Sequence, residues 1–197
     1  MSGVRRRVSA GGGRERRLPA RRHARRLTHL DESGALHMVD VGEKPITARQ
    51  ARAMGTLHMN ALAFSALRRQ GLAKGDALAL ARAAGIAAAK RTAEWIPLCH
   101  VVPLEQVDVT IAFEPRQSTV RVEVSARARW KTGVEMEAMV GTAAALLTLY
   151  DMAKALDRGM RLGPVVLLEK SGGRSGTWRR GSAATRRARA KEGRRRY

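Results

Sequence analysis

Cysteine is almost absent: Cys99 is the only one in the chain. A single thiol makes no internal disulfide and cannot hold a zinc or iron–sulfur site alone. A lone cysteine is ordinarily a small buried apolar residue. His100 adjoins it, but neighbouring side chains in an extended segment point apart, which argues against a Cys–His dyad. No apolar run approaches the length of a bilayer span, so no transmembrane helix is predicted. The N-terminal arginines are not followed by the apolar core of a secretory signal. Their Arg-rich, acid-poor composition is also that of a mitochondrial transit peptide, but the C-terminal end shares it, and a cytoplasmic location is the simplest reading. Neither a G-x-x-x-x-G-K-S/T phosphate loop nor a dinucleotide-binding glycine fingerprint occurs.

Acidic residues are scarce, 17 against 38 Lys and Arg, which gives a formal net charge of +21. Such a balance first suggests nucleic acid, but its distribution weakens that reading. Residues 1–26 hold ten Arg and one Glu, and residues 178–197 hold eight Arg, one Lys and one Glu; these two segments account for +17 and leave only +4 for residues 27–177. Both segments lack the large apolar residues needed to offset ordering entropy and read as disordered tails. Neither interleaves aromatics with its arginines. A weak attraction to anions is therefore expected of them, and an RNA- or DNA-binding arm is the alternative. The 44% of apolar residues suffices for one core, in a single domain over 27–177.

The body is periodic. His37–Val41 reads as a short strand. Thr47 and Gln50 have capping-box spacing, which predicts a helix from Thr47 to Gly71 with Met54, Leu57, Ala61 and Phe64 on one face. Asp76 is a good N-cap for a second, Ala-rich helix reaching about Trp95. Val107, Val109, Ile111 and Phe113 alternate with polar or small partners. Val120, Val122, Val124, Ala126, Ala128 and Trp130 do the same, which predicts an antiparallel hairpin turning at 114–118. A long helix over 134–157 and a strand over 165–168 follow. The class is α+β, an antiparallel sheet with long helices packed on one face.

Polar groups concentrate in a few short stretches. The first runs from His37 to Lys44, with Arg49 beyond it; at its plainest it is a strand ending in a polar turn. In the second, His100 follows a Pro-anchored turn, and an imidazole suits an acid, a base or a phosphate contact. In the third, Lys131–Glu137, Thr132 and Glu135 again have capping-box spacing, whereas Glu137 does not fit that role. A helix N-terminus there would also attract anions. Asp151 and Lys154 lie three apart on one helical face. As an exposed ion pair they contribute only about 0.2–0.5 kcal/mol; partly desolvated, they form a proton-relaying pair. Glu169–Gly176 is glycine-rich with two cations and suits a phosphate cradle or a flexible exit.

Together these stretches resemble the cyclic pyranopterin monophosphate synthase family, the molybdenum cofactor biosynthesis protein C type. The matching segments are LTHL at 27–30, HMVDVGEK at 37–44, AGIAAAKRT at 84–92, IPLCH at 96–100, KTGVEMEA at 131–138, LYDMAKA at 149–155 and GPVVLLEKSGGRSG at 163–176. The resemblance implies a ferredoxin-like α+β fold and a homohexamer built as a trimer of dimers, with a site formed where two chains meet. It implies a lyase that turns (8S)-3′,8-cyclo-7,8-dihydroguanosine 5′-triphosphate into cyclic pyranopterin monophosphate with release of diphosphate. Asp151 matches the catalytic aspartate, with Lys154 and Lys74 completing the acid/base set. Leu98, Cys99 and His100, together with Met136 and Glu137, match substrate contacts. Glu135, Asp40, Lys44, Arg49 and Lys170 match further site positions. No motif demands a cofactor, and Mg²⁺ enters only as the usual companion of a triphosphate.

Overall fold

The computed structural model describes residues 33–181. The N-terminal tail, the LTHL segment and the C-terminal tail beyond residue 181 lie outside the described residues. The elements are β1 (Thr47–His58), α1 (Ala61–Arg68), α2 (Ala77–Ala89), α3 (Thr92–Trp95), β2 (Gln106–Glu114), β3 (Thr119–Trp130), α4 (Glu135–Ala153), β4 (Arg161–Leu162), β5 (Val166–Ser171) and β6 (Trp178–Arg179). They build an antiparallel sheet in the order β2-β3-β1-β5-β6, with β4 paired to the end of β1. The helices cover one face, as the α+β reading expects.

The hairpin forms where the alternation places it. Val107, Val109, Ile111 and Phe113 stand opposite Ala126, Val124, Val122 and Val120. The turn is a 3₁₀ segment, Pro115–Gln117, closed by Ser118 at φ 44°. The valines of β3 are fully buried beneath Leu146 and Leu149 of α4 and Phe64 and Leu67 of α1. Each such side chain contributes about 1.5–3 kcal/mol through removal from water. Phe64 meets Phe113 edge-on, with ring centroids 5.6 Å apart.

The expected helix over 47–71 is instead a strand followed by a shorter helix. Ala51, Ala53 and Leu57 are buried while Arg52, Met54, Thr56 and His58 stay partly exposed, a period of two. This strand is the centre of the sheet, paired to β3 on one side and to β4 and β5 on the other. Tertiary pairing overrides the helical propensity of its alanines, and the Thr47–Gln50 spacing caps nothing. The true N-cap is Asn60, whose side chain accepts from the Ala63 N–H at 2.8 Å.

Other boundaries shift too. Residues 37–41 form no strand; they run irregularly into a turn at 42–44. Asp76 caps α2 as expected, accepting from Leu78 N and Ala79 N at 3.0 and 2.9 Å. The helix then breaks at Lys90 and Arg91, and the one-turn α3 follows. The N-cap of α4 is Val134, with no side-chain cap, so the Thr132–Glu135 capping box does not form. The last predicted strand runs on to Ser171. Trp178 and Arg179 pair with Lys170 and Glu169, and Arg180 donates to the carbonyls of Leu167 and Leu168 at 2.7 and 2.8 Å. The folded body therefore extends past residue 177, where the sequence placed its end.

Two glycines set how closely α2 and α4 cross. A Cβ on Gly141 would lie 3.0 Å from the Gly85 carbonyl oxygen, and one on Gly85 would lie 3.1 Å from that of Gly141. Gly141→Ala should therefore cost about 1–3 kcal/mol, read as a lower midpoint in urea unfolding. An unchanged midpoint would show that the crossing has slack.

Candidate active site

The N-terminal end of α4 carries Glu135, Met136 and Glu137. Glu137 turns inward and is only 4% exposed. Burial, reinforced by the neighbouring Glu135 charge and only partly offset by a backbone hydrogen bond, pushes its carboxyl up to about 7. Against it lies the Leu98–His100 stretch, which follows α3. Burial pushes the Cys99 thiol up, and Glu137 adds to that shift, so Cys99 is not an activated nucleophile. The His100 ring bonds the Val39 carbonyl through Nε2 at 2.8 Å. A carbonyl only accepts, so Nε2 carries the proton and Nδ1 is the nitrogen left for other chemistry.

Beside this wall the chain ends of three strands converge. Arg49, near the start of β1, donates through Nε to the Trp130 carbonyl and through Nη2 to the Lys131 carbonyl, each at 3.2 Å. Lys131, just past β3, donates to the Gly42 carbonyl at 2.6 Å. Lys170, on β5, donates to Ser175 Oγ and, at 2.9 Å, to the Gly176 carbonyl. The Ser171–Ser175 loop folds tightly against Arg49 because Gly172 and Gly173 adopt φ +96° and +67°. A Cβ at either would run into the Ala48 carbonyl or the Arg49 guanidinium.

These groups enclose a cavity of about 600 Å³, where Lys44, Arg49, Lys131, Lys170 and Arg174 face only Glu43 and Glu135 as acids. An adjoining cavity of about 470 Å³ is walled by Val39, Val41, Leu98, Cys99, His100, Met136 and Glu137. Lys44, Thr132, Gly133 and Glu135 line both. The arrangement is a cationic chamber for an anion, adjoining a more apolar chamber with a buried carboxyl and an imidazole. Its cations suit phosphate oxygens. Among the described residues no cluster of three or more His, Cys, Asp or Glu is placed to hold a metal.

Nine of the residues singled out in the sequence thus meet at one place: Lys44, Arg49, Leu98, Cys99, His100, Glu135, Met136, Glu137 and Lys170. Asp40 sits just outside, its Oδ1 accepting from the Gly42 N–H at 2.7 Å. Asp151, Lys154 and Lys74 do not join them. They cluster at the opposite end of α4, sixteen residues from Glu135. At 1.5 Å per residue that is about 24 Å away. There Asp151 accepts from Lys154 Nζ at 2.7 Å and from Lys74 Nζ at 3.1 Å. Those two hydrogen bonds, Lys154's the stronger, hold its carboxyl below the usual range. Asp151 is 56% exposed and Lys154 50%, so the partial desolvation expected of this pair is not present within one chain. Lys131, Arg174 and Thr47 also line the cationic chamber; the sequence placed Lys131 and Arg174 only within polar stretches and read Thr47 only as a helix cap. Lys131 and Arg174 lie within matched motifs, which is the signal that could have flagged them.

The profile of the MoaC family matches residues 38–173, well over half of the chain. The chain belongs to the MoaC family. Proteins named cyclic pyranopterin monophosphate synthase are similar over nearly their whole length. The one from Thermomicrobium roseum is 51% identical over 163 residues, which is 83% of this chain and 98% of that protein. The one from Parvibaculum lavamentivorans is 49% identical over 156 residues, 79% and 98% of the two chains. Cyclic pyranopterin monophosphate synthase 1 of Mycobacterium tuberculosis is 50% identical over 162 residues, 82% and 94%. The MoaC match contains both clusters, the one at the start of α4 and the one at its end.

Burying Glu137 has a readable cost. Its folded-state pKa lies above the ordinary value of 4.5. The unfolded chain therefore loses its proton first, and stability falls as pH rises from about 4.5 to about 7. Glu137→Gln removes that titration. Its melting temperature should match or trail wild type near pH 4.5 and gain on it up to pH 8. A difference that stays constant with pH would show that Glu137 ionises normally.

Proposed function

We propose that the chain is a cyclic pyranopterin monophosphate synthase acting in molybdenum cofactor biosynthesis. It takes (8S)-3′,8-cyclo-7,8-dihydroguanosine 5′-triphosphate, closes a cyclic phosphate and releases diphosphate. The observation that carries this reading is the cationic chamber opening onto the Glu137–His100 wall, in a chain about half identical to enzymes of that name. Lys44, Arg49 and Lys170, the cations matched by resemblance, take the triphosphate. When the new phosphate ester forms, the bond to the diphosphate breaks, and the departing charge grows where these cations stand. The heterocycle lies in the more apolar chamber against Leu98, Cys99 and Met136. At neutral pH Glu137 is present in both protonation states, so it can donate or accept a proton at the ring.

Asp151, Lys154 and Lys74 form the acid/base set. About 24 Å separates them from the cavity of their own chain, so the working site takes its acid/base set from one chain and its cavity from another. Packing against that partner supplies the desolvation that the exposed pair lacks. A homohexamer assembled as a trimer of dimers provides such a junction. Mg²⁺, where it takes part, arrives on the triphosphate. No helix among the described residues is long and apolar enough to cross a membrane, and we place the enzyme in the cytoplasm. Nothing in the body favours the nucleic-acid alternative.

Purified protein supplied with the cyclised triphosphate should yield the pyranopterin product by mass spectrometry. Asp151→Asn should lower that turnover at least about 100-fold. Its folding should change little, because a solvent-exposed ion pair adds little stability. Near-normal turnover by this variant would remove Asp151 from the mechanism.

A shared site makes a further prediction. Asp151→Asn chains and His100→Ala chains, each inactive alone, should regain part of the activity when mixed and reassembled, because some junctions then combine two intact halves. Failure of every ratio to rescue, or an active monomer in ultracentrifugation, would place the whole site in one chain.

A further inference from the structure

Residues 37–46 carry Lys44 into the cavity, yet they belong to no strand or helix. The turn at 41–44 closes on itself, with Lys44 N donating to the Val41 carbonyl at 3.1 Å and Gly42 N donating to Asp40 Oδ1 at 2.7 Å. Those bonds shape the turn but do not attach it to the body. Two side chains do. His100 holds the Val39 carbonyl at 2.8 Å, and Lys131 holds the Gly42 carbonyl at 2.6 Å. The second pin is nearer Lys44 and comes from a residue just beyond the end of β3.

We infer that Lys131 is a positioning residue, whose ammonium fixes the Gly42 carbonyl and thereby sets Lys44 against the phosphates of the substrate. This rests on the proposed function. The cavity's cations divide by what they hold. Arg49 is tied to the carbonyls of Trp130 and Lys131, and Lys170 to its own loop, so both stand on elements of the sheet. Lys44 stands on a turn with no such support of its own, and Lys131 provides it. The geometry also makes a clean test available. Arg49 bonds the backbone carbonyl of Lys131, not its side chain. Lys131→Met therefore keeps that bond and most of the aliphatic stem, and deletes only the pin on Gly42.

Two measurements on the full-length protein decide the matter. The first is amide exchange by mass spectrometry in peptides covering 39–46. Lys131→Met should speed exchange there on the order of tenfold, with no change in peptides covering 166–176. This readout needs no substrate, so it stands even if the proposed activity fails for the wild type. The second is steady-state turnover of the cyclised triphosphate. Lys131→Met should raise KM on the order of tenfold, with kcat within about twofold. The double variant Lys44→Met/Lys131→Met should have the KM of Lys44→Met alone, since a support adds nothing once its load is gone. Unchanged exchange in a folded variant would overturn the inference. So would multiplying KM effects in the double variant, which would make Lys131 a phosphate contact in its own right.

Discussion

The close seating of α4 on the sheet is the constraint on which everything else depends. A Cβ on Gly55, in the middle of the central strand, would sit 2.6 Å from Leu146 Cδ1, and one on Gly141 would meet the backbone of α2. Ala138, Gly141, Thr142, Ala145 and Leu149 are all buried along the same helix. Thr142 satisfies its hydroxyl internally by donating to the Ala138 carbonyl at 2.8 Å. Small residues on both sides let the helix approach until dispersion contacts are dense. The helix is thereby a rigid rod, and the groups at its two ends are held at a fixed separation.

That rod explains why the functional groups fall into two sets. At its N-terminal end, where the helix field favours negative charge, Glu135 and Glu137 stand beside a chamber rich in cations. At its C-terminal end Asp151 is held ionised by two lysines in full view of solvent. No bending of a packed helix brings these ends together, so within one chain the two clusters stay apart. The same logic governs the cavity's electrostatics. Several of its cations already hold carbonyls of the body, which spends donors on architecture and leaves the positive charge uncancelled for an anion.

Much of this was readable from residue patterns. The β2–β3 hairpin was legible because strict alternation over two runs has one simple solution, a half-buried antiparallel pair. The Asp76 cap and the long α4 were legible because a cap residue and a sustained apolar face are local signals. The strand at 47–58 was not. Its alanines and single methionine suit a helix equally well, and only its place between β3 and β5 makes it a strand. The helix break at Lys90 and Arg91 carries no glycine or proline to mark it, and the pairing of Trp178 and Arg179 with β5 was hidden because the glycine-rich stretch between them reads equally well as a flexible exit. Among the site residues, Lys131 and Thr47 escaped because a hydrogen bond to Gly42 or a place on a cavity wall leaves no periodic trace.

By itself the sequence determined the α+β class, the placement of excess positive charge at the two ends of the chain, and the membership and order of the polar motifs. Each of those is a property of composition or short-range spacing, which the chain carries whether folded or not. Tertiary structure alone decided which motifs meet. It gathered Lys44, Arg49, Glu135, Glu137 and Lys170 from four separate segments around two adjoining cavities, and it kept Asp151 and both of its lysines away from them. The physical reason is that a helix of nineteen residues, once buried against a sheet, converts a distance along the chain into an equally definite distance in space.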